Sequence, residues 1–464
     1  TTILSAPESF HAIPRRSSVR SSPQQKITQP LLGFPLYLPL HYILATFACF
    51  YSTSFREQPR GLTAHDWPQE DGYGTHFMNR TGRLWRVCAY YSAFVGLGLV
   101  LSSIGPTLPA LADLTGVSLG ALSSVFLARS MGYLIGAMLG GRLYDRFPGH
   151  PLMAGMLALM AITMVLAPLS PTLSVLICVF VCLGAAEGTL DVGGNTLLTW
   201  LFPTGLGPWM NGLHLFFGVG AMLSPLIISF NMGQMQGTVT TAYWSLAALM
   251  IPVIILLLFL PSPPIAAHAR ERTESLVRHR TTIFLVAGLL FATVGAEVGF
   301  GNWIFTYALT QNVADEGGAA LLTSVFWGVF TFGRVLAIPL AARMAPSAIL
   351  LFCLVGCAVG SIVAMVQPQG VAVIWLATII SGLAVAPMFA TVLSLAGERM
   401  PITGRATGWF FIGSSAGGMT VPWVVGQLFE SVGPSSVFLV ALANLVVGMV
   451  MYVFFVLRPK NSPN

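Results

Sequence analysis

Residues 152–200 read LMAGMLALMAITMVLAPL, then Ser170-Pro171-Thr172, then LSVLICVFVCLGAAEGTLDVGGNTLLTW. The first run carries no charge, and the second carries only Glu187 and Asp191. A bilayer-spanning helix needs about 20 mainly apolar residues. These are therefore two spans joined by a three-residue turn, and the same pattern extends in both directions. Spans are predicted near 87–110, 118–141, 152–169, 173–200, 207–232 and 240–260. A polar stretch from His268 to Arg280 follows. Six more are predicted near 282–310, 319–342, 347–366, 371–396, 405–428 and 435–457. The expected fold is all-α, with twelve transmembrane helices in two pseudo-symmetric six-helix halves. Helix numbers below follow this order.

Composition agrees. Apolar residues make up 55% of the 464 residues and charged residues 8%, against about a quarter charged in soluble domains. So few charges cannot solvate a soluble globule of this size, whereas lipid-facing helices need none. Orientation follows from the basic residues, because cytoplasmic loops hold the Lys/Arg excess. If helix 1 starts inside, the inside set holds Arg80, Arg83, Arg86, Arg142, Arg146, Arg270, Arg272, Arg278, Arg280, Arg343, Arg399, Arg405, Arg458 and Lys460. The outside set, including Asp315 and Glu316, holds no Lys or Arg. The net charge of +6 is thus topological, and no nucleic-acid partner is expected. The expected setting is a plasma (bacterial inner) membrane, with both ends of the helical body cytoplasmic.

The domain division is a poorly structured extension (1–85), a first bundle (86–261), a cytoplasmic linker (262–281), a second bundle (282–457) and a tail (458–464). The extension holds Arg15, Arg16, Arg20 and Lys26 before an uncharged, proline-interrupted stretch, Gln29–Phe55. An Arg/Ser-rich, acid-poor start of this kind resembles a transit or leader segment. A disordered tail or a mis-extended gene start fits it too, since the chain opens with Thr. The halves repeat internally. Gly220-Ala-Met-Leu-Ser-Pro225 on helix 5 parallels Gly417-Gly-Met-Thr-Val-Pro422 on helix 11, and Gly132…Arg142 parallels Gly333…Arg343. Such repeats place a transporter's site near the midplane between the halves.

Few ionisable groups lie at bilayer depth: Arg129, Glu187, Asp191, His214, Glu297 and Arg334. A charge at a helix centre costs roughly 2.5–3.5 kcal/mol on insertion scales, so such groups pair or face a cavity. Helices 3, 6, 9 and 12 carry none, as expected if the other helices line a central path. If Arg129 and Arg334 each neutralise one acid, one carboxylate on helix 4 remains. An unpaired carboxylate in a low-dielectric setting is a candidate proton carrier, and a bound cation neutralises it equally well. The alternative is one static charge network that only holds helices together.

On helix 4, Glu187, Asp191 and Asn195 are four apart and form one stripe. Asn211 and His214 are neighbours on helix 5, His214 being a candidate substrate contact or a packing group. Helix 7 reads Gly295-Ala-Glu297-Val-Gly299-Phe-Gly301-Asn302-Trp303-Ile-Phe-Thr-Tyr307. Asn302 points away from Glu297 in a continuous helix, and Gly299 and Gly301 permit an unwinding that would bring them together. Amide, carboxylate and aromatic groups suit a polyhydroxylated ring, which needs hydrogen bonds and an apolar face. The competing role for Trp303 and Tyr307 is an interfacial aromatic belt. The pairs Cys178/Cys182 and Cys353/Cys357 have packing rather than zinc or redox spacing, and no metal or other cofactor is expected beyond a coupling proton or sodium ion.

At these residues the chain resembles the major facilitator superfamily. Gly141-Arg-Leu143-Tyr-Asp145-Arg146-Phe is similar to its signature loop, Gly-x-Leu-x-Asp-Arg, which in the family latches the cytoplasmic side by charge. Pro148-Gly-His-Pro151 departs from the usual ending, and the arginine that drug antiporters carry on helix 4 is absent. A narrower resemblance is to the fucose permease and sodium-dependent glucose transporter branch. It rests on Asp191 with Asn195, on Asn211-Gly-Leu-His214-Leu-Phe-Phe-Gly…Ser224-Pro225 and on Glu297…Tyr307, within residues 86–457. It implies a coupling carboxylate at Asp191 and leaves Glu187 as partner for Arg129. The expected function is cation-coupled symport of a monosaccharide or similar small polar solute by a monomer in the bilayer. An exporter of amphipathic compounds is the alternative. An integral membrane enzyme or receptor is disfavoured, since no His/Cys/Asp grouping has catalytic spacing.

Overall fold

The structure, a computed structural model, describes residues 80–202, 204–264, 279–400 and 404–458. The segment 1–79, the linker arginines Arg270, Arg272 and Arg278, and Lys460 lie outside the described residues. Twelve helical segments follow one another: α1 (Arg80–Leu101, resuming as Ile104–Thr115), α2 (Leu119–Tyr144), α3 (Gly149–Leu169), α4 (Leu173–Leu201), α5 (Leu206–Gln234), α6 (Val239–Phe259), α7 (Arg280–Thr310), α8 (Glu316–Ala341), α9 (Pro346–Val366), α10 (Val371–Gly397), α11 (Gly404–Phe429) and α12 (Ser436–Leu457). Among the described residues no strand occurs. Eleven of these segments are long and apolar enough to cross a membrane. The remaining segment is α11, with 26 residues. The protein is an integral, multi-pass membrane protein.

Three helices are broken where single ones are expected: α2 at Ser123, and α1 and α10 beside a proline. Pro106 has no N–H, and its ring collides with the carbonyl four residues back. The chain accordingly turns at Ser102-Ser103 before Ile104. Pro387 interrupts α10 in the same way, between Val385 and Met388. At the other end of α1 the basic run is helical from Arg80.

Lipid tails are as apolar as Leu, so helix association in a bilayer relies on close packing of small residues. The α2–α4 pair is built this way from both sides. A Cβ added to Gly132 would overlap the Val181 carbonyl, and one added to Gly136 the Ala185 carbonyl. Conversely, Gly184 faces the Arg129 carbonyl and Gly188 the Tyr133 carbonyl. The internal repeat is visible in these contacts. Gly220 on α5 lies against Val95 of α1, while Gly417 on α11 lies against Phe291 of α7. Gly132 packs on α4, and its counterpart Gly333 packs on Ala386 of α10. Cys353 and Cys357 are buried packing residues, whereas Cys178 and Cys182 are exposed on α4 instead of packed.

Backbone cannot retreat from a new side chain as a flexible neighbour can. Gly188→Val is therefore expected to cost about 3 kcal/mol, the upper end for overpacking. The check is a clear drop in melting temperature and in monodisperse protein after detergent extraction, set beside Gly155→Val, where open space adjoins the glycine.

Candidate functional site

Gly184 and Gly188 bring α4 onto α2, and the approach sets residues of the two helices opposite each other one turn apart. Arg129 Nη2 donates to Glu187 Oε1 at 2.7 Å, with the Glu187 side chain 0% exposed. One turn on, the Tyr133 hydroxyl donates to Asp191 Oδ2. Asn195 Nδ2 donates to the other Asp191 oxygen at 3.0 Å and to the Asp191 backbone carbonyl at 2.8 Å. The two acids on this stripe thus differ in kind. Glu187 is sealed against an arginine. Asp191 is half-buried and held by two neutral donors, with no basic group in salt-bridge contact among the described residues.

The second half supplies Glu297 on α7 and Arg334 on α8, both half-buried. They form no direct ion pair among the described residues. The Arg334 guanidinium stands 4.5 Å from the Phe330 ring centroid, a cation–π contact. With Arg129 taken by Glu187, Arg334 is the one cation left at this depth among the described residues for Glu297 of its own half and Asp191 of the other. His214 on α5 is edge-on to Phe94 of α1, 5.9 Å between centroids. One arginine is thus set against two carboxylates contributed by different halves. With Arg129 and Glu187 cancelling and histidine counted as neutral, this group carries one excess negative charge.

The remaining expected site residues fall at the two ends of the bundle. On α7, Asn302, Trp303 and Tyr307 are all buried. Asn302 Nδ2 donates to the Val298 carbonyl at 2.9 Å, while its Oδ1 has no partner among the described residues. Trp303 Nε1 donates to the Pro422 carbonyl at 2.9 Å, and its ring packs against Phe429 and Phe126. The Tyr307 hydroxyl donates to the Pro368 carbonyl at 2.7 Å, with the ring edge-on to Phe438. No unwinding joins them to Glu297, because α7 is one continuous helix. Gly299 and Gly301 instead let Val421 and Trp327 approach: an added Cβ would lie 2.8 Å and 2.7 Å from those side chains.

These residues belong to a closure at the end of the bundle whose loops hold no arginine. There Glu430 Oε1 accepts from the Leu119 backbone N–H at 2.9 Å. Gln427 Nε2 donates to the Gly120 carbonyl at 2.7 Å and to Ser123 Oγ at 3.2 Å. The α1 segment after the break abuts α7, and a Cβ on Gly105 would lie 2.8 Å from the Asn302 carbonyl oxygen. At the arginine-bearing end, Asn211, Asp145 and Arg146 are exposed, and open space adjoins Gly141.

Tyr133, Gln427 and Glu430 enter the site from the structure alone. Tyr133 has a sequence signal, since Arg129 and Tyr133 are four apart on α2 and match Glu187 and Asp191 on α4. Gln427 and Glu430 have none, because only the folded halves bring them to α2.

A profile of the Major Facilitator Superfamily matches residues 90–403 and 298–464. Sodium-dependent glucose transporter 1A of Mus musculus is 29% identical over 374 residues, covering 73% of this chain and 88% of that protein. Sodium-dependent glucose transporter 1 of Homo sapiens is 28% identical, covering 73% and 72%. Among solved structures, a D-xylose-proton symporter superposes with a TM-score of 0.65 at 15% identity, covering 83% of this chain and 99% of that one. The nucleoside transporter NupG gives 0.63 at 15% identity, covering 81% and 98%. At such identities the structures speak for the shared fold.

Proposed function

The chain belongs to the major facilitator superfamily, and from that premise we propose that it is a cation-coupled symporter of a monosaccharide. The observation that carries the proposal is Asp191, half-buried and held by the neutral donors Tyr133 and Asn195, with no basic group in salt-bridge contact among the described residues. A site with one excess negative charge resists closure, since removing an uncompensated charge from water costs several kcal/mol. A sodium ion or proton at Asp191 cancels that charge. The loaded site then closes where the empty one does not, and this makes sugar and ion cross together.

Sugar hydroxyls meet Asn195, Asn211 and His214 from the first half. Asn302, Trp303 and Tyr307 join them when the arginine-free end opens. Arg129 fixes Glu187 and keeps it out of the coupling, while Arg334 tracks the state of Asp191 and Glu297. The arginine-bearing end lies in the cytoplasm of a plasma membrane, with the loop Gly141–Arg146 controlling it, and the protein works as a monomer. The names of the relatives from Mus musculus and Homo sapiens favour glucose as the first substrate to try and sodium as the first ion.

Purified protein in proteoliposomes is expected to take up labelled glucose several-fold faster under an inward sodium or proton gradient than without one. If no monosaccharide shows gradient-driven uptake, the proposal falls.

A further inference from the structure

Away from the central charges, the second half has a cavity of about 550 Å³ at the arginine-bearing end. It lies where the start of α9 meets the ends of α10 and α12. Ser347, Glu398, Arg399, Phe455, Leu457 and Arg458 are among the residues that line it. Nothing in the transport reading uses it, yet three of its features favour one kind of ligand.

The first is Arg458, whose Nη1 is buried and has no hydrogen-bond partner among the described residues. A buried guanidinium nitrogen left unpaired loses its hydration without compensation, so it is fitted to receive an acceptor. The second is Arg399, which is held in place: Nη1 donates to the Arg458 carbonyl at 2.9 Å and the guanidinium lies 4.2 Å from the Phe455 ring centroid. It supplies a fixed positive charge to the same cavity. The third is the α9 N-terminus. Its N-cap is Ala345, which offers no side-chain cap, and Pro346 at the first position has no N–H, so the N–H groups of Ser347 and Ala348 and the positive end of the helix dipole are left at that end. Against these stands one acid, Glu398, exposed and acting on Arg399. The balance is one net positive charge.

The walls add a second requirement. Phe455 and Leu457 are apolar, and Leu457 is 75% exposed at the end of a membrane-spanning helix. The volume lies within the usual range for small-molecule sites and far exceeds what a lone phosphate fills. We propose that this cavity binds a phosphate group, its apolar wall suiting one carried on an apolar chain along α12. A phospholipid headgroup and a free phosphate share the phosphate, and the test below separates the two sources.

Full-length protein in mild detergent is titrated with dioctanoyl phosphatidic acid, with inorganic phosphate and with dioctanoyl glycerol, following the melting temperature. Phosphatidic acid is expected to stabilise and dioctanoyl glycerol to have no effect. Stabilisation by inorganic phosphate at similar concentration assigns the site to a free anion, and its absence assigns it to a headgroup. Arg458→Gln is expected to weaken the response about tenfold, as loss of a charge-assisted hydrogen bond does. Arg399 also holds α12, so Arg399→Gln is scored only if its unliganded melting temperature matches the parent. No stabilisation by either phosphate-bearing probe, or an unchanged response in Arg458→Gln, overturns the proposal. Sodium-driven uptake is measured on the same variant, so that loss of binding and loss of transport are told apart.

Discussion

Asp191→Asn is expected to abolish accumulation of sugar against a gradient while leaving exchange of sugar between the two sides. Asparagine keeps the size of the side chain; its oxygen still accepts from Asn195, and its NH2 donates to the Tyr133 hydroxyl, which turns from donor to acceptor. What disappears is the charge. The central group then holds Glu297 and Arg334, which cancel, and the site is neutral without an ion. An empty-ion carrier closes as readily as a loaded one, so the steady-state ratio of inside to outside sugar falls to about one. In the parent, coupling worth 1.4 kcal/mol gives each tenfold of accumulation. Counterflow of labelled against unlabelled sugar should persist within a few-fold of the parent. Loss of both activities would point to a structural role for Asp191.

The second large effect is on folding. Arg129→Leu leaves Glu187 fully enclosed with no cation, whereas its carboxylate now lies 2.7 Å from the Arg129 guanidinium. Removing one partner of a buried pair costs about 3–5 kcal/mol, because the remaining charge is uncompensated. Little folded protein should survive extraction, as judged by size-exclusion chromatography. The double variant Arg129→Leu/Glu187→Leu removes both charges and is expected to recover most of the yield, since apolar replacement of a buried pair is often neutral. A double variant no better than the single one would show that Arg129 does more than neutralise Glu187.

Much of this was legible before the fold. The runs at 152–169 and 173–200 carry the spans, because a bilayer leaves a backbone no choice but a helix. The four-residue spacing of Glu187, Asp191 and Asn195 places them on one face, and the structure has them so. The breaks beside Pro106 and Pro387 were not read from the sequence, where 87–110 and 371–396 are single spans, and Pro109, Pro225, Pro252, Pro339 and Pro422 sit inside helices that continue through them. Distances between helices are not legible there either. Periodicity puts Arg334 and Glu297 at membrane depth but says nothing of how far apart α7 and α8 hold them, and among the described residues they form no direct ion pair. Trp303 and Tyr307 look alike in an aromatic belt and in a closed end; only the carbonyls of Pro422 and Pro368 separate the two. Gln427 and Glu430 lie about 310 residues from their partners, beyond any local pattern.

The central claim is that sugar and a cation cross together because Asp191 carries the uncompensated charge. Charge movement on sugar addition tests it most directly, with proteoliposomes adsorbed to a solid-supported electrode and no ion gradient imposed. A transient inward current should follow glucose addition to the parent protein in sodium or at acidic pH, and Asp191→Asn should give none. A current of equal size in Asp191→Asn, or sugar uptake by the parent with no current under any ion condition, would contradict it.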